Sequence, residues 1–160
     1  MPQVVLYQPQ IPPNTGNIAR TCAATGTELH LVEPLGFEIN DRRLRRAGLD
    51  YWPWVALRRH PDWQAFQSQR LETGGRLLAL SRHAHESYLS CRFRADDWLL
   101  FGRETDGLPA EVVKAADACL SIPMACTSQD GGGGVRSLNL SVSVAVVLFE
   151  ALRQLAITPH

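Results

Sequence analysis

Short apolar runs rich in Val and Leu alternate along the chain with longer segments whose apolar positions recur at helical spacing. This alternation predicts an α/β fold, a mainly parallel sheet flanked by helices. Strands are expected at about 4–7, 28–32, 54–58, 77–81, 98–101 and 119–122, from runs such as VVLY, LLAL and WLLF. Helices are expected between them at about 14–25, 42–47, 61–70 and 109–116, with a last one at about 138–155. That last helix is unusual, because Val142, Val144, Ala145, Val146, Val147, Leu148 and Phe149 leave it apolar on nearly every side until Glu150. Such a helix needs cover all round. A small sheet covers one face, and a second copy of the same chain is the simplest cover for the rest, so a homodimer is expected.

A length of 160 residues has room for one domain, 1–160, with a single core. Hydrophobic residues at 45% and charged residues at 20% exclude a disordered or collagen-like chain. No apolar run approaches the ~18 residues of a membrane span, and the start, MPQVVLYQPQIPP, lacks the basic flank and long apolar stretch of a signal peptide. The expectation is a cytoplasmic protein. Cys22, Cys91, Cys119 and Cys126 show no CxxC spacing and read as reduced packing residues, with no disulfide and no metal.

A formal net charge of zero hides a strong asymmetry. Residues 42–94 hold eleven arginines against Asp50, Asp62, Glu72 and Glu86, while both flanking regions are net acidic. Lys114 is the sole lysine. Guanidinium forks onto phosphate oxygens and stacks on bases, so this arginine-rich middle suits either RNA binding or a solvated face.

The common cofactor signatures are missing: no GxGxxG follows the first strand, and there is no P-loop, HExxH or GxSxG. His83 and His85 flank an alanine without a third ligand nearby, and Ser81 and Ser137 lack His and Asp partners at any motif spacing. Three strand-end loops carry the remaining density of Gly, Pro, Asn and isolated charges. In IPPNTGNIAR, two prolines stiffen the approach and Asn14 stands where it could cap the helix leading to Arg20. In FGRETDGLP, Gly102 and Gly107 permit close backbone approach around Glu104. In SIPM and the later VRSLNLSVSV, Ser137 and Asn139 stand at the mouth of the apolar helix, where capping alone would account for Ser137. Between these last two lies the glycine run 131–134, read as a loop at the place where open α/β sheets bind ligands.

Together the three loops resemble the motifs of the SPOUT class of RNA methyltransferases, over nearly the whole chain. LYQPQIPPNTGNIARTCAATG is similar to the first motif, LLFGRETDGLP to the second, and SIPM with RSLNLS to the third. RRLRRAGLDYW is similar to a segment of the small members that methylate the ribose 2′-hydroxyl of tRNA nucleotide 34. The chain departs from their pattern at Arg103, Asp106, Val142 and the segment QDGGGGV.

The resemblance implies a deep C-terminal trefoil knot, an exception to the rule that chains are unknotted. It implies that S-adenosyl-L-methionine binds in that knot, on Leu80, Gly102, Ile122, Ser137 and Leu138. Arg20, Asn14 and Glu104 fall on its catalytic positions. Arginine is a poor base, so Arg20 is expected to orient a phosphate and stabilise developing oxyanion charge. Arg42, Arg43, Arg45 and Arg46 are expected to grip the tRNA backbone near the anticodon. Methylation of another tRNA position or of ribosomal RNA, and non-catalytic RNA binding on the same fold, are the competing expectations.

Overall fold

The computed structural model describes residues 1–40, 42, 46, 49–125 and 135–156. Seven strands form one sheet: β1 (Gln3–Tyr7), β2 (Leu29–Val32), β3 (Leu57–His60), β4 (Leu77–Leu80), β5 (Glu86–Ser87), β6 (Trp98–Phe101) and β7 (Ala118–Ser121). Their spatial order is β3-β2-β1-β6-β4-β7-β5, and every neighbouring pair is parallel. Parallel strands need crossovers, which put helices on the sheet faces. These helices are α1 (Pro12–Thr25), α2 (Trp63–Thr73), α3 (Ala110–Lys114) and α4 (Leu140–Gln154).

Strand periodicity divides the core in two. Val4, Leu6, Leu29, Leu31, Leu78, Leu99, Phe101 and Leu120 face a layer containing Ile18, Ala19 and Cys22 of α1 and Val144, Val147, Leu148, Ala151 and Leu152 of α4. The alternate residues Val5, Tyr7, Leu77, Ala79, Trp98 and Leu100 face Phe66 of α2 and Val112 of α3. Fully burying a Val, Leu or Phe side chain contributes roughly 1.5–3 kcal/mol, so the central strands hold the sheet from both sides.

The buried positions of α4 follow the spacing of one helical face. On its other side Val142 and Phe149 are 46% and 52% exposed, so this chain alone covers only part of the helix. Helix α1 begins with Pro12 and Pro13 in its first turn, where no backbone donor is required, and closes on Gly26 at φ +67°. Asp62 caps α2, its carboxylate accepting from Ala65 N at 2.8 Å.

Two elements differ from the expectation. The strand expected at 54–58 runs instead over Leu57–His60, because Leu49–Trp54 forms a 3₁₀ segment with Pro53 inside it. The two-residue strand β5 was not anticipated, its two residues being too few for a periodic signal. Most of the expected helix 42–47 lies outside the described residues, although Arg42 and Arg46 are helical and exposed.

At the β2–β3 edge the core contains two histidines. His30 Nδ1 and His60 Nε2 are 2.9 Å apart, their rings stacked and both buried. Trp98 and Phe66 meet the His30 ring edge-on. Burial is the main force disfavouring the charged forms: it lowers His30 to about 4 and lowers His60 in the same direction.

Candidate active site

Strands β1, β6, β4 and β7 are adjacent and parallel, so their C-terminal ends lie side by side, where open α/β sheets bind ligands. The residues that follow them, with the residues leading into α4, line a cavity of about 460 Å³. It brings together Leu80, Gly102, Ile122, Ser137 and Leu138, and with them Asn14 and Glu104. These residues lie as far as 124 positions apart in sequence, between Asn14 and Leu138.

Backbone packing shapes the floor. A Cβ on Gly102 would overlap the backbone of Gly107 and come within 2.5 Å of Leu108 N, so only glycine fits there. Gly107, at φ +71°, turns the loop back so that Arg103 N and Gly107 O, and Gly107 N and Arg103 O, pair at 3.2 and 3.0 Å. Leu80, Leu120, Ile122 and Leu138 give the cavity apolar walls.

Glu104 stands at the cavity and is tied to the loop after β1. Its carboxylate accepts from Gln10 N at 2.9 Å and Ile11 N at 3.1 Å, and lies 3.5 Å from Asn14 Nδ2. Asn14 is not the helix cap expected: Ile11 occupies that position, and Asn14 is buried inside α1. Its Oδ1 accepts from Asn139 Nδ2 at 2.9 Å. Ser137 is not a cap either, since Asn139 caps α4 by accepting from Ser141 N at 2.9 Å.

Arg103 adds a second fastening that the motifs did not indicate. Its guanidinium forks onto Asp106 at 2.7 and 2.8 Å, donates to Gln8 Oε1 at 2.8 Å, and lies 5.6 Å from the Tyr7 ring centroid. The hydrogen bonds from Arg103 hold the Asp106 carboxyl below its ordinary range. Thr105 Oγ1 donates to Gln10 Oε1 at 2.7 Å. Gln8, Gln10 and Thr105 were missed from sequence because their partners lie 95 residues away; residence in strand-end loops was their one available signal.

Charge at the cavity follows from these pairings. Arg103 and Asp106 neutralise one another, whereas Arg82 and Arg136, which also line it, make no ion pair among the described residues. His83 lines it too, accepting from Arg82 Nε at 3.1 Å.

Arg20 is not a lining residue. It lies six residues beyond Asn14 on α1, about 9 Å along the helix axis. Its guanidinium carbon is 4.7 Å from the Tyr51 ring centroid, and Nη2 is 3.5 Å from the Tyr51 hydroxyl. Arg42 and Arg46 are exposed, while Arg43, Arg45, Cys126 and the glycine run 131–134 lie outside the described residues. Burial pushes the Cys22 thiol up to about 12 and raises Cys91 and Cys119, so none of these three supplies a thiolate at neutral pH. Among the described residues, no group of three or more His, Cys, Asp or Glu side chains could hold a metal ion, and no helix is long and apolar enough to cross a membrane.

A larger hollow of about 690 Å³ lies beyond β2 and β3, lined by Phe37, Ile39 and the paired Glu33 and Arg59 among others. It collects none of the motif residues, so chemistry rather than size favours the smaller cavity.

Residues 1–149 match the family described as SpoU rRNA Methylase. The chain is 47% identical over 157 residues to the tRNA (cytidine(34)-2′-O)-methyltransferase of Escherichia coli K12, covering 97% of this chain and 94% of that protein. Identity to the protein of the same name from Yersinia pestis is 48% over 160 residues, covering 97% and 94%. A solved structure described as giving insights into the 2-OH methylation of C/U34 on tRNA superposes with a TM-score of 0.89, at 49% identity, covering 98% of this chain and 97% of that one. An AdoMet-bound rRNA methyltransferase from Sinorhizobium meliloti superposes with a TM-score of 0.84 at 27% identity, covering 96% of this chain and 56% of that one.

Proposed function

Because this chain belongs to the SpoU rRNA Methylase family, we propose that it methylates the ribose 2′-hydroxyl of tRNA nucleotide 34, using S-adenosyl-L-methionine. The observation that carries the reading is the convergence of Leu80, Gly102, Ile122, Ser137 and Leu138 on one cavity, beside Asn14 and Glu104. The residues present fit the methyl donor. Gly102 packed on the Gly107–Leu108 backbone fixes the floor, the Leu and Ile walls suit an adenine ring, and about 460 Å³ lies within the usual ~300–1,000 Å³ of small-molecule sites. When bound, the donor would supply an electrophilic sulfonium methyl that passes in line to the ribose 2′-hydroxyl oxygen, the hydroxyl losing its proton and the sulfur leaving as a neutral thioether.

The protein's part is positioning. Glu104, Asn14 and Asn139 fix three loops relative to one another, so that apolar walls and backbone groups face the donor without reorganisation. Arg20 keeps its guanidinium fork free of carboxylates among the described residues, as a cation that orients an RNA phosphate must. Arg82 and Arg136 make the mouth attractive to the same polyanion. Arg42, Arg43, Arg45 and Arg46 are assigned to the tRNA backbone, with the exposure of Arg42 and Arg46 in support.

We read 1–160 as one domain, with the chain beyond β7 threading a trefoil knot. The position of β7 beside β4, with α4 returning to pack on α1, supports that threading. A homodimer accounts for the exposed Val142 and Phe149, seven residues apart and so on one face of α4. Sedimentation of Phe149→Glu as a monomer, against a dimeric parent, checks it. A cytoplasmic location is part of the same proposal, with the tRNA substrate as its support.

The decisive experiment incubates the protein with labelled methyl donor and unmodified bulk tRNA, then maps the 2′-O-methyl group by nuclease digestion and mass spectrometry. Label at nucleotide 34 is expected. Label elsewhere, or only on ribosomal RNA, moves the target; donor binding without transfer leaves a non-catalytic RNA-binding protein.

A further inference from the structure

We infer that Tyr51 and Trp54 form a stacking platform for unpaired bases next to the methylated nucleotide. The inference rests on the RNA 2′-O-methyltransferase reading and adds to it a site for the substrate's bases.

The 3₁₀ segment Leu49–Trp54 divides its aromatic residues between two environments. Trp52, with the following Val55, packs against the core, and Val55 N donates to Trp52 O at 3.2 Å. Tyr51 and Trp54 point away from that packing, 42% and 69% exposed. Pro53 between them limits the backbone, so the outward rings are held on a stiff turn. Trp is ordinarily a largely buried residue, and leaving this one in water forgoes a large apolar gain.

Charge selects the occupant. Arg20 lies over the Tyr51 ring, Arg42 and Arg46 are exposed a few residues earlier in the chain, and none of the three makes an ion pair among the described residues. Flat faces beside uncompensated guanidinium groups match single-stranded RNA, whose splayed bases stack on aromatic rings while its phosphates take arginine. A second copy of the chain is a poorer fit, since Val142 and Phe149 of α4 already offer it an exposed apolar face without neighbouring guanidinium groups at the ring faces. Placement agrees: Asn14 in the cavity and Arg20 at the platform share helix α1, about 9 Å apart along its axis, a distance that a short single-stranded segment spans.

The test measures binding of a tRNA anticodon stem-loop to the full chain, as wild type, Trp54→Ala, Trp54→Phe and Tyr51→Ala, over a salt series. Loss of one stacked base weakens binding about 10-fold, so that loss is expected for Trp54→Ala, with Trp54→Phe close to wild type. The log–log salt slope should stay unchanged in Trp54→Ala but fall by about 0.7–0.9 in Arg46→Ala if Arg46 holds a phosphate. In the wild type, the RNA should also shield tryptophan fluorescence from acrylamide, because Trp54 is more exposed than half-buried Trp52 and Trp63 or buried Trp98. Circular dichroism and methyl-donor affinity serve as folding controls, and if Trp54→Ala does not fold, wild-type shielding decides.

Wild-type affinity in Trp54→Ala overturns the platform. So does a change in its sedimentation, which would give Trp54 to a contact between copies, and so does a wild type that does not bind the stem-loop. Methyl transfer by the wild type is assayed separately: transfer with an inert Trp54 sinks only the platform, whereas Trp54-dependent binding without transfer sinks only the enzymatic reading.

Discussion

Arg103 and Arg20 carry the same side chain to opposite circumstances. Arg103 is engaged on both sides of its fork, by the two oxygens of Asp106 and by Gln8, and lies over Tyr7. Its charge is already matched, so it holds the β6 loop against the end of β1. Arg20 rests on the ring and hydroxyl of a single residue, Tyr51, which does not neutralise it. A guanidinium in that state retains its preference for a phosphate or oxyanion. The division extends to their surroundings: the rim from Gln8 to Asn14 and from Gly102 to Leu108 is fastened internally, while the flank of Arg20, Tyr51 and Trp54 is left open. Residue type alone assigns neither role; the partners each side chain touches do.

The largest test of the fastened region is Gly102→Ala. Displacing the Gly107–Leu108 backbone by even about 1 Å should lower methyl-donor affinity on the order of 100-fold, measured by calorimetry. A near-normal affinity would mean that the rim is not pre-shaped.

Next in size is an effect remote from both regions. His30 has its pKa lowered on folding to about 4 from 6.5, so the unfolded chain binds more protons between those values. The associated stability is fully present above the unfolded value and declines as pH falls through this window. Between pH 7 and pH 5 the loss should be about 2 kcal/mol, read from urea midpoints. His30→Leu should flatten the decline; an equally steep one would place its origin elsewhere.

On the open flank, Arg20→Lys keeps the charge and removes the planar fork, and turnover should drop roughly 10-fold with donor affinity unchanged. Near-normal turnover would reduce Arg20 to a simple point charge. Smallest is Arg103→Ala, which should raise the donor KM about threefold with kcat preserved, because a half-exposed ion pair is a weak fastening. If kcat falls and KM holds, Arg103 touches the reacting groups and the contrast with Arg20 disappears.

The buried strands β1, β4 and β6 were legible because short Val- and Leu-rich runs have few other solutions in a chain this size. The cavity's membership was legible from motifs at the strand ends. Strand β3 was displaced because WVALR reads as an apolar run, while Trp54 belongs to the 3₁₀ segment that contains Pro53 and the strand begins only at Leu57. Asn14 looked like a cap because Asn favours that position; its actual partners, Glu104 and Asn139, are 90 and 125 residues away. Arg103, Gln8 and Thr105 were illegible as partners for the same reason, and the solvent-facing arginines could be told from the engaged one only by their neighbours.

One connection has a direction. Asn139 donates its amide to Asn14, and the Asn14 amide points its own donor at Glu104, so polarity runs one way from the start of α4 to a terminal negative charge. An aspartate at position 14 would set a second anion against the first and remove the donor between them. Hydrolysis of that single amide, a slow chemical ageing reaction of asparagine, would therefore turn an attraction among three distant loops into a repulsion without altering the side chain's size.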